Sequence, residues 1–222
     1  QTKGKNKGKQ LSTLARVFSR QISNFVFPAE IERPSRSNMK IYKTQTENNN
    51  EEKEEEEEEE ISKEEYDKLL DDSLEKLSSS KKGYLNVEKL DIYSPKMKAI
   101  FQEIEKDEKQ LILIYSQYRN VEGLEIMSRI LESNGYKKYT NKTDKKYDYK
   151  RYGFYSGKED IKERDAMLDS YTDISNKYGK NVRILFISSA GAEGINLKCV
   201  RKVLIMEPFW HDVRIKQVIG RA

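Results

Sequence analysis

The sequence holds one cysteine, one histidine, one tryptophan and four prolines among its 222 residues. The single cysteine, Cys199, excludes a disulfide within the chain and is typical of an intracellular protein. No apolar run approaches the ~20 residues that a membrane-spanning helix needs, and no signal peptide opens the chain. We therefore expect an intracellular protein with no membrane partner.

Several residues that could suggest a chemical site lack the necessary spacing. The stretches GKNKGK (4–9) and GFYSGKE (153–159) contain Gly and Lys, but neither has the G-x-x-x-x-G-K-[ST] pattern of a phosphate loop. His211 stands at the start of a helix and is interpreted as a surface or packing residue. Cys199 has no metal-binding neighbours and is interpreted as buried core. We predict no metal site.

Charge is distributed unevenly. Residues 51–60 read EEKEEEEEEE, a net charge of −8, whereas the whole chain carries +4, so the other residues carry +12. A basic surplus points to a nucleic-acid or phosphate partner. The acidic tract itself has no apolar residues to bury, which predicts disorder.

Shifts in composition predict four regions. Residues 1–45 form a connecting segment, 46–60 a disordered acidic insertion, 61–90 a helical linker, and 91–222 a compact domain. The chain begins with Gln rather than Met and ends within a helical pattern, so we expect a piece of a longer protein.

The third region contains one well-defined helix. Ser62 with Glu65 resembles a capping box and predicts a helix over 62–79. Apolar residues at helical spacing form its predicted buried side: Tyr66, Leu69, Leu70, Leu74 and Leu77.

The fourth region alternates continuous apolar strands with helices, which predicts an α/β fold with a parallel sheet covered by helices on both faces. Strands are predicted at 111–115, 151–155, 182–188 and 202–206. Helices are predicted from Ser94-Pro95, over 121–134, over 158–178 with a break near Thr172, and from His211. In the last helix we expect an apolar face of Val213, Ile215, Val218 and Ile219.

The strand ending at Ser188 runs into a turn of small residues, SSAGAEGINL (188–197). Such a turn lets the backbone approach a phosphate, a nucleic-acid strand or the next helix. In open α/β sheets, the carboxyl edge of the strands is where ligands bind.

Taken with the C-terminal QVIGRA (217–222), this turn resembles motifs V and VI of superfamily-two helicases and translocases, most closely the SWI/SNF-like branch. Three further blocks resemble that branch in the same order: YSPKMKAI (93–100), LILIYSQY (111–118, motif IV) and YGFYSGKEDIKERDAMLDSY (152–171). The resemblance implies a RecA-like second helicase lobe over 91–222 that stops within motif VI, and it makes residues 1–45 the connection from the first lobe.

A narrower resemblance covers residues 14–34, LARVFSRQISNFVFPAEIERP. This stretch is similar to the segment between lobes in poxvirus-type and giant-virus enzymes, namely nucleoside triphosphatase I and the helicase-like subunit of the early transcription factor. It implies a role in viral transcription, with viral RNA polymerase as a candidate partner and the virion or the host cytoplasm as the location.

The superfamily resemblance also implies roles for individual residues. Arg221 and Gln217 lie near the γ-phosphate of ATP, with Mg²⁺, because phosphoryl transfer needs a cation at the equatorial oxygens. The other implied nucleotide-binding residues are Gly191, Gly194, Asn196 and Gly220, and the implied nucleic-acid contacts are Ser116, Gln117 and Ser189. The first lobe supplies the remaining half of the ATP site, so we expect this chain to be inactive alone.

Three functions remain open at this point. The first is the second lobe of a DNA-dependent ATPase, the second is the corresponding lobe of an RNA helicase, and the third is a non-enzymatic RecA-like scaffold in a transcription assembly. Gln217 together with Arg221 favours an enzyme, and the GINL form of motif V (194–197) favours DNA.

Overall fold

The computed structural model describes residues 19–34, 37–43, 54–60, 62–141, 145–157, 159–188, 195–207 and 212–220. Its strands are β1 (Ser37–Lys43), β2 (Glu54–Glu60), β3 (Leu111–Ser116), β4 (Lys137–Lys138), β5 (Arg151–Tyr155), β6 (Ile184–Ser188) and β7 (Val200–Ile205). Its helices are α1 (Lys63–Ser79), α2 (Leu90–Tyr93), α3 (Pro95–Glu105), α4 (Leu124–Ser133), α5 (Ile161–Thr172) and α6 (Asp212–Ile219). Short 3-10 turns cover Val87–Lys89, Lys145–Tyr147 and Ile174–Asn176.

Five strands form one sheet in the order β4-β5-β6-β3-β7, and every neighbouring pair is parallel. The chain moves from β3 to the edge strand β4, returns through β5 and β6, and then crosses to β7 on the far side of β3. The interior strand β3 is therefore flanked by β6 and β7, so these three strands end side by side at the carboxyl edge.

Each face of the sheet has its own hydrophobic cluster, because successive strand residues point to opposite faces. On one face, Ile112 and Ile114 of β3 pack in a cluster with α1, α3 and α4. On the other face, Leu111 and Leu113 pack with Tyr171 of α5 and Val218 of α6. Helices thus cover both faces, which confirms the predicted α/β class and RecA-like arrangement.

Helix α1 packs into the first of these clusters. Ser62 accepts a hydrogen bond from the Glu65 backbone N–H, and the Glu65 side chain accepts one from the Ser62 backbone, so the predicted capping box and helix are confirmed. The buried residues of α1 are Tyr66, Ser73 and three leucines, Leu70, Leu74 and Leu77. Burying each leucine contributes on the order of 1.5–3 kcal/mol. The expectation for Leu69 is wrong, since this side chain is 45% exposed.

Residues 54–60, within the tract predicted to be disordered, form strand β2, which pairs with β1 in antiparallel register. The register sets Lys40 opposite Glu57 and Lys43 opposite Glu54. Composition alone did not reveal this backbone pairing. The boundaries proposed for the insertion stay predictions.

Two expectations about side-chain burial are wrong. Cys199 is exposed and has a positive φ of 64°, because it lies in the tight turn that leads into β7. Among the four predicted apolar residues of α6, Val218 is buried, Ile215 is half-buried, Val213 is 62% exposed and Ile219 is 51% exposed. An eight-residue helix that rests on the sheet along one narrow line buries few of its apolar side chains.

Arg183 is wholly buried directly before β6, where the sequence pattern suggested only an apolar strand. Its guanidinium donates to the carbonyl oxygens of Ile104 and Asp107 at the end of α3, and to the Tyr136 hydroxyl at 2.8 Å. These carbonyls lie at the negative end of the helix dipole, so the cation caps α3 and joins it to the amino edge of the sheet.

Candidate nucleic-acid and nucleotide edge

The carboxyl edge of the sheet brings together the segments in which the predicted site residues lie. Ser116 pairs in register with Ser188, and the Met206 backbone N–H donates to the Tyr115 carbonyl at 2.9 Å. Motif IV therefore continues from β3 beside the end of β6 and beside Glu207 after β7. Four predicted site residues, Ser189, Gly191, Gly194 and Arg221, lie outside the described residues.

Ser116 is wholly buried, which differs from the expected phosphate contact. Its Oγ lies 2.9 Å from Glu207 Oε1 and accepts the Tyr118 backbone N–H at 3.0 Å. A hydroxyl with these partners is not presented to a ligand. The geometry gives Ser116 a positioning role within the edge, and its phosphate contact stays a prediction.

Gln117 is half-buried and follows directly. Its backbone N–H donates to Glu207 Oε2 at 2.9 Å. Its side-chain Nε2 is buried, and the described part of the chain offers it no hydrogen-bond partner. A buried donor without a partner costs free energy, so this amide is a donor available to a group outside the described residues.

The structure describes three more of the predicted residues, and all three are exposed. Asn196 is exposed between the buried Ile195 and Leu197, which fix the chain on either side of it. Gln217 is exposed on α6 next to the buried Val218, and Gly220 follows the end of that helix. Exposure allows contact with a ligand or a second lobe, and the roles of these three residues stay predictions.

Glu207 is the centre of the edge, although the sequence analysis did not single it out. The side chain is 3% exposed, and its carboxylate accepts hydrogen bonds from Asn24 Nδ2 at 2.6 Å, from the Ser116 hydroxyl and from the Gln117 backbone N–H. It thereby joins Asn24 of the N-terminal segment to Ser116 and Gln117 of motif IV. An acidic residue directly behind an apolar run, KVLIM (202–206), is the signal that could have identified it.

Lys96 extends this network from α3. Its Nζ donates to Asn24 Oδ1 at 2.7 Å, so the Asn24 amide lies between the ammonium and the Glu207 carboxylate. Burial lowers the pKa of Lys96 below its ordinary value, and the charge of Glu207 partly opposes that shift. The amide satisfies both charged groups without bringing them into direct contact.

The loop after motif IV, residues 117–123, is held by charged contacts. Arg119 lies 3.8 Å above the Phe154 ring centroid and donates to Glu159 at 2.8 Å. Burial raises the pKa of Glu159, but hydrogen bonds from Ser156 and Arg119 outweigh that effect, so the pKa lies below its ordinary value. The buried Glu122 accepts a two-pronged contact from Arg33, which ties the N-terminal segment to the same loop.

The end of this loop requires a glycine. A Cβ on Gly123 would lie 1.7 Å from the Tyr118 carbonyl oxygen, which accepts the Leu124 N–H at 2.9 Å. The missing side chain lets the first turn of α4 close directly against the backbone after motif IV. The position of that backbone is thus fixed by packing as well as by hydrogen bonds.

Within the described ranges, no group of three or more His, Cys, Asp or Glu residues could hold a metal ion. Over the same ranges, no helix is long and apolar enough to cross a bilayer.

A family model described as the helicase conserved C-terminal domain matches residues 95–222. The chain is 36% identical over 130 residues to "Putative ATP-dependent RNA helicase R350" of Acanthamoeba polyphaga mimivirus, covering 58% of this chain and 15% of that protein. It is 38% identical over 68 residues to nucleoside triphosphatase I of Heliothis armigera entomopoxvirus, covering 31% and 10%. It is 30% identical over 160 residues to a termination factor NPH-I homolog of African swine fever virus, covering 58% and 22%.

The chain spans less than a quarter of the length of each of these relatives. The family model begins at the first residue of α3 and runs through the five-stranded sheet to α6. The superfamily-two resemblance is thereby confirmed: the chain belongs to the helicase conserved C-terminal domain family.

Proposed function

We propose that this chain is the second lobe of a nucleic-acid-dependent ATPase that translocates on DNA during viral transcription. The observation that carries the proposal is the convergence of β3, β6 and β7, which brings motif IV, the start of motif V and Glu207 to one edge. Family membership supports helicase and ATPase chemistry in general. The relatives named as nucleoside triphosphatase I and as a termination factor support the transcription role.

In this proposal, the chain's own residues bind and orient the nucleotide. Arg221 holds two oxygens of the γ-phosphate, because a guanidinium stays charged and bonds oxygens in pairs. Gln217 lies beside it, and Asn196 faces the ribose. Gly191 and Gly194 let the backbone approach the phosphates. ATP with Mg²⁺ supplies the phosphoryl group to be transferred, and the first lobe supplies the metal-binding carboxylates.

The nucleic-acid strand contacts the same edge through groups that do not read bases. The Gln117 amide, which has no hydrogen-bond partner among the described residues, is proposed as one donor, and Ser189 is proposed to add a hydroxyl. Contacts to phosphates position a strand without regard to its sequence, as a translocating motor requires. We infer that the first lobe is an obligate partner, that viral RNA polymerase is a further partner, and that the protein acts in the virion or the host cytoplasm.

The test is the ATPase activity of the protein that contains both lobes, with and without nucleic acid. Arg221→Ala should lower kcat at least about tenfold, equivalent to roughly 1.4 kcal/mol, with little change in melting temperature. Arg221→Lys should restore only part of the rate, because a point charge cannot bridge two oxygens. Arg201→Ala, at an exposed position on β7, is the control and should leave the rate unchanged.

Two outcomes would redirect the proposal. If Arg221→Ala hydrolysed ATP at the parent rate with normal stimulation, the motif VI assignment would fail and the scaffold function would be favoured. The mimivirus relative named as an RNA helicase makes RNA the second candidate substrate, so stimulation by RNA but not by DNA would select that function. The 222-residue chain alone should show no turnover above background.

A further inference from the structure

One segment of the chain concentrates positive charge. Residues 137–151 read KKYTNKTDKKYDYKR, with six Lys and one Arg against two Asp, a net charge of +5. The entire 222-residue chain carries only +4. This segment contains β4, the turn Lys145–Tyr147 and the start of β5.

Four lysines of this segment lie at the surface. Lys137, Lys138, Lys145 and Lys146 are exposed, and these four define the edge lysine surface. Among the described residues, no carboxylate lies within ion-pair distance of Lys137, Lys138 or Lys145.

The acid of the same segment has other partners. Asp148 lies 4.0 Å from Arg151 and 3.7 Å from Lys180. The positive charge of Lys137, Lys138 and Lys145 is thus left facing solvent rather than being neutralised by Asp148.

Aromatic rings gather these ammonium groups together. Lys137 Nζ lies 4.9 Å and Lys146 Nζ 5.6 Å from the centroid of the same half-buried ring, Tyr147. Lys138 Nζ lies 5.8 Å from the Phe154 centroid. The attraction of a cation to a ring face holds the Lys137 and Lys146 ammonium groups near one ring, which raises the local positive potential.

The surface lies away from the edge that carries the helicase motifs. Lys137 pairs with Arg151, and Lys138 pairs with Tyr152, at the amino end of β5. The motif residues follow the carboxyl ends of β3 and β6, beyond the pairs formed by Tyr115 and Ser116. Because all strands are parallel, the backbone pairs that carry Lys137 and Lys138 lie at the end of the sheet opposite the motif residues. The Lys138 side chain extends from there over the Phe154 ring, which Arg119 of the loop after motif IV also contacts.

We propose that the edge lysine surface binds the phosphate backbone of a nucleic acid outside the path formed by the helicase motifs. Lysine ammoniums are compact point charges that bind phosphates without demanding a fixed geometry, so the contact is independent of base sequence. Such a second contact retains the strand whatever the state of the ATP site. The inference goes beyond the proposed function and does not require ATP hydrolysis.

The experiment compares two variants, each of which removes four positive charges from a different surface. In one variant of the 222-residue chain, Lys137, Lys138, Lys145 and Lys146 become Gln. The matched control changes four other exposed lysines, on or just after α1, to Gln: Lys63, Lys68, Lys76 and Lys81. Binding of a short mixed-sequence duplex DNA is measured by fluorescence anisotropy between about 50 and 200 mM salt, with circular dichroism to verify folding.

Each lost phosphate contact reduces the slope of log affinity against log salt by about 0.9 for duplex DNA. The edge variant should lose at least about two slope units and at least about tenfold in affinity, whereas the control should stay within about twofold of the parent. Equal losses in both variants would show that net charge alone determines DNA affinity and would overturn the proposal.

A further arm tests the chain's own acidic tract as an alternative occupant. If duplex binding required deletion of residues 51–60, the surface would belong to that tract and the proposal would be overturned. If a two-lobe protein with the edge substitutions kept both its DNA affinity and its DNA-stimulated ATPase activity, this inference would be overturned. The proposed function would not be affected by that result. Loss of ATPase in Arg221→Ala tests only the proposed function.

Discussion

The buried carboxylate of Glu207 offers the sharpest test of how the carboxyl edge of the sheet is stabilised. Glu207→Gln keeps the size of the side chain but replaces one acceptor oxygen with a donor NH₂. That NH₂ would face the Asn24 amide or the Gln117 backbone N–H, which donate to the carboxylate at 2.6 and 2.9 Å. A buried donor left without an acceptor costs about 1–3 kcal/mol.

We expect Glu207→Gln to lower the free energy of unfolding by about 2 kcal/mol, which for a chain of this size is roughly 4–8 °C in melting temperature. Glu207→Ala strands three donors and should cost about 3–5 kcal/mol. Urea denaturation of the 222-residue chain measures both. Glu75→Gln, at an exposed position in α1, is the control and should change stability by less than about 0.5 kcal/mol.

Two site-specific measurements separate this network from general packing. The Gln117 amide hydrogen should exchange faster in Glu207→Gln, because its acceptor has been altered. Asn24→Ala and Glu207→Gln should be non-additive by about 0.5–3 kcal/mol, since each removes the same contact. A Glu207→Gln protein as stable as the parent, with additive double-mutant energies, would refute the reasoning.

Three further predictions follow from described contacts. Gly123→Ala should lower stability by about 1–3 kcal/mol in urea denaturation, because its Cβ would meet the Tyr118 carbonyl, whereas Gly157→Ala has no atom within 4 Å and should be neutral. The folded pKa of Glu159 lies below its ordinary value of 4.5, so its contribution to stability is complete above that pH and is lost as pH falls through the folded pKa. Glu159→Gln should therefore flatten the loss of stability below pH 4.5, and an unchanged acid profile would argue against the assigned contacts. Deleting residues 46–60 removes no apolar residue and takes away β2, which pairs with β1 in a two-stranded sheet separate from the five-stranded sheet, so calorimetry should show nearly the same melting temperature; a drop of many degrees would contradict this.

The central strands could be predicted because their apolar character is continuous and does not depend on partners. The runs at 111–115 and 151–155 match the observed strands to within one residue, whereas β6 begins at Ile184 instead of Val182. The edge strand β4 could not be predicted, because its two exposed lysines carry no apolar signal and extend the sheet only through backbone pairing with β5.

The location of the carboxyl edge could be predicted from the sequence, but the hydrogen-bond partners of its side chains could not. Apolar periodicity locates the carboxyl ends of strands, and therefore Ser116 and the turn after Ser188. It does not reveal that a partner 91 residues away occupies the Ser116 hydroxyl. The same limit applies to α6, where Val213 and Ile219 suit a helix core by composition but lie exposed in the fold.

The contact between Asn24 and Glu207 has a consequence for how the protein is made. The two residues are separated by 183 positions in the chain, so at about 5–20 residues per second a ribosome needs roughly 10–40 s to produce the second after the first. During that interval Phe25 and the leucines of α1 have no completed sheet to cover them, because β6 and β7 are translated after them. Distant contacts of this kind slow folding. The nascent chain therefore leaves the apolar residues around Phe25 uncovered until β6 and β7 have been made.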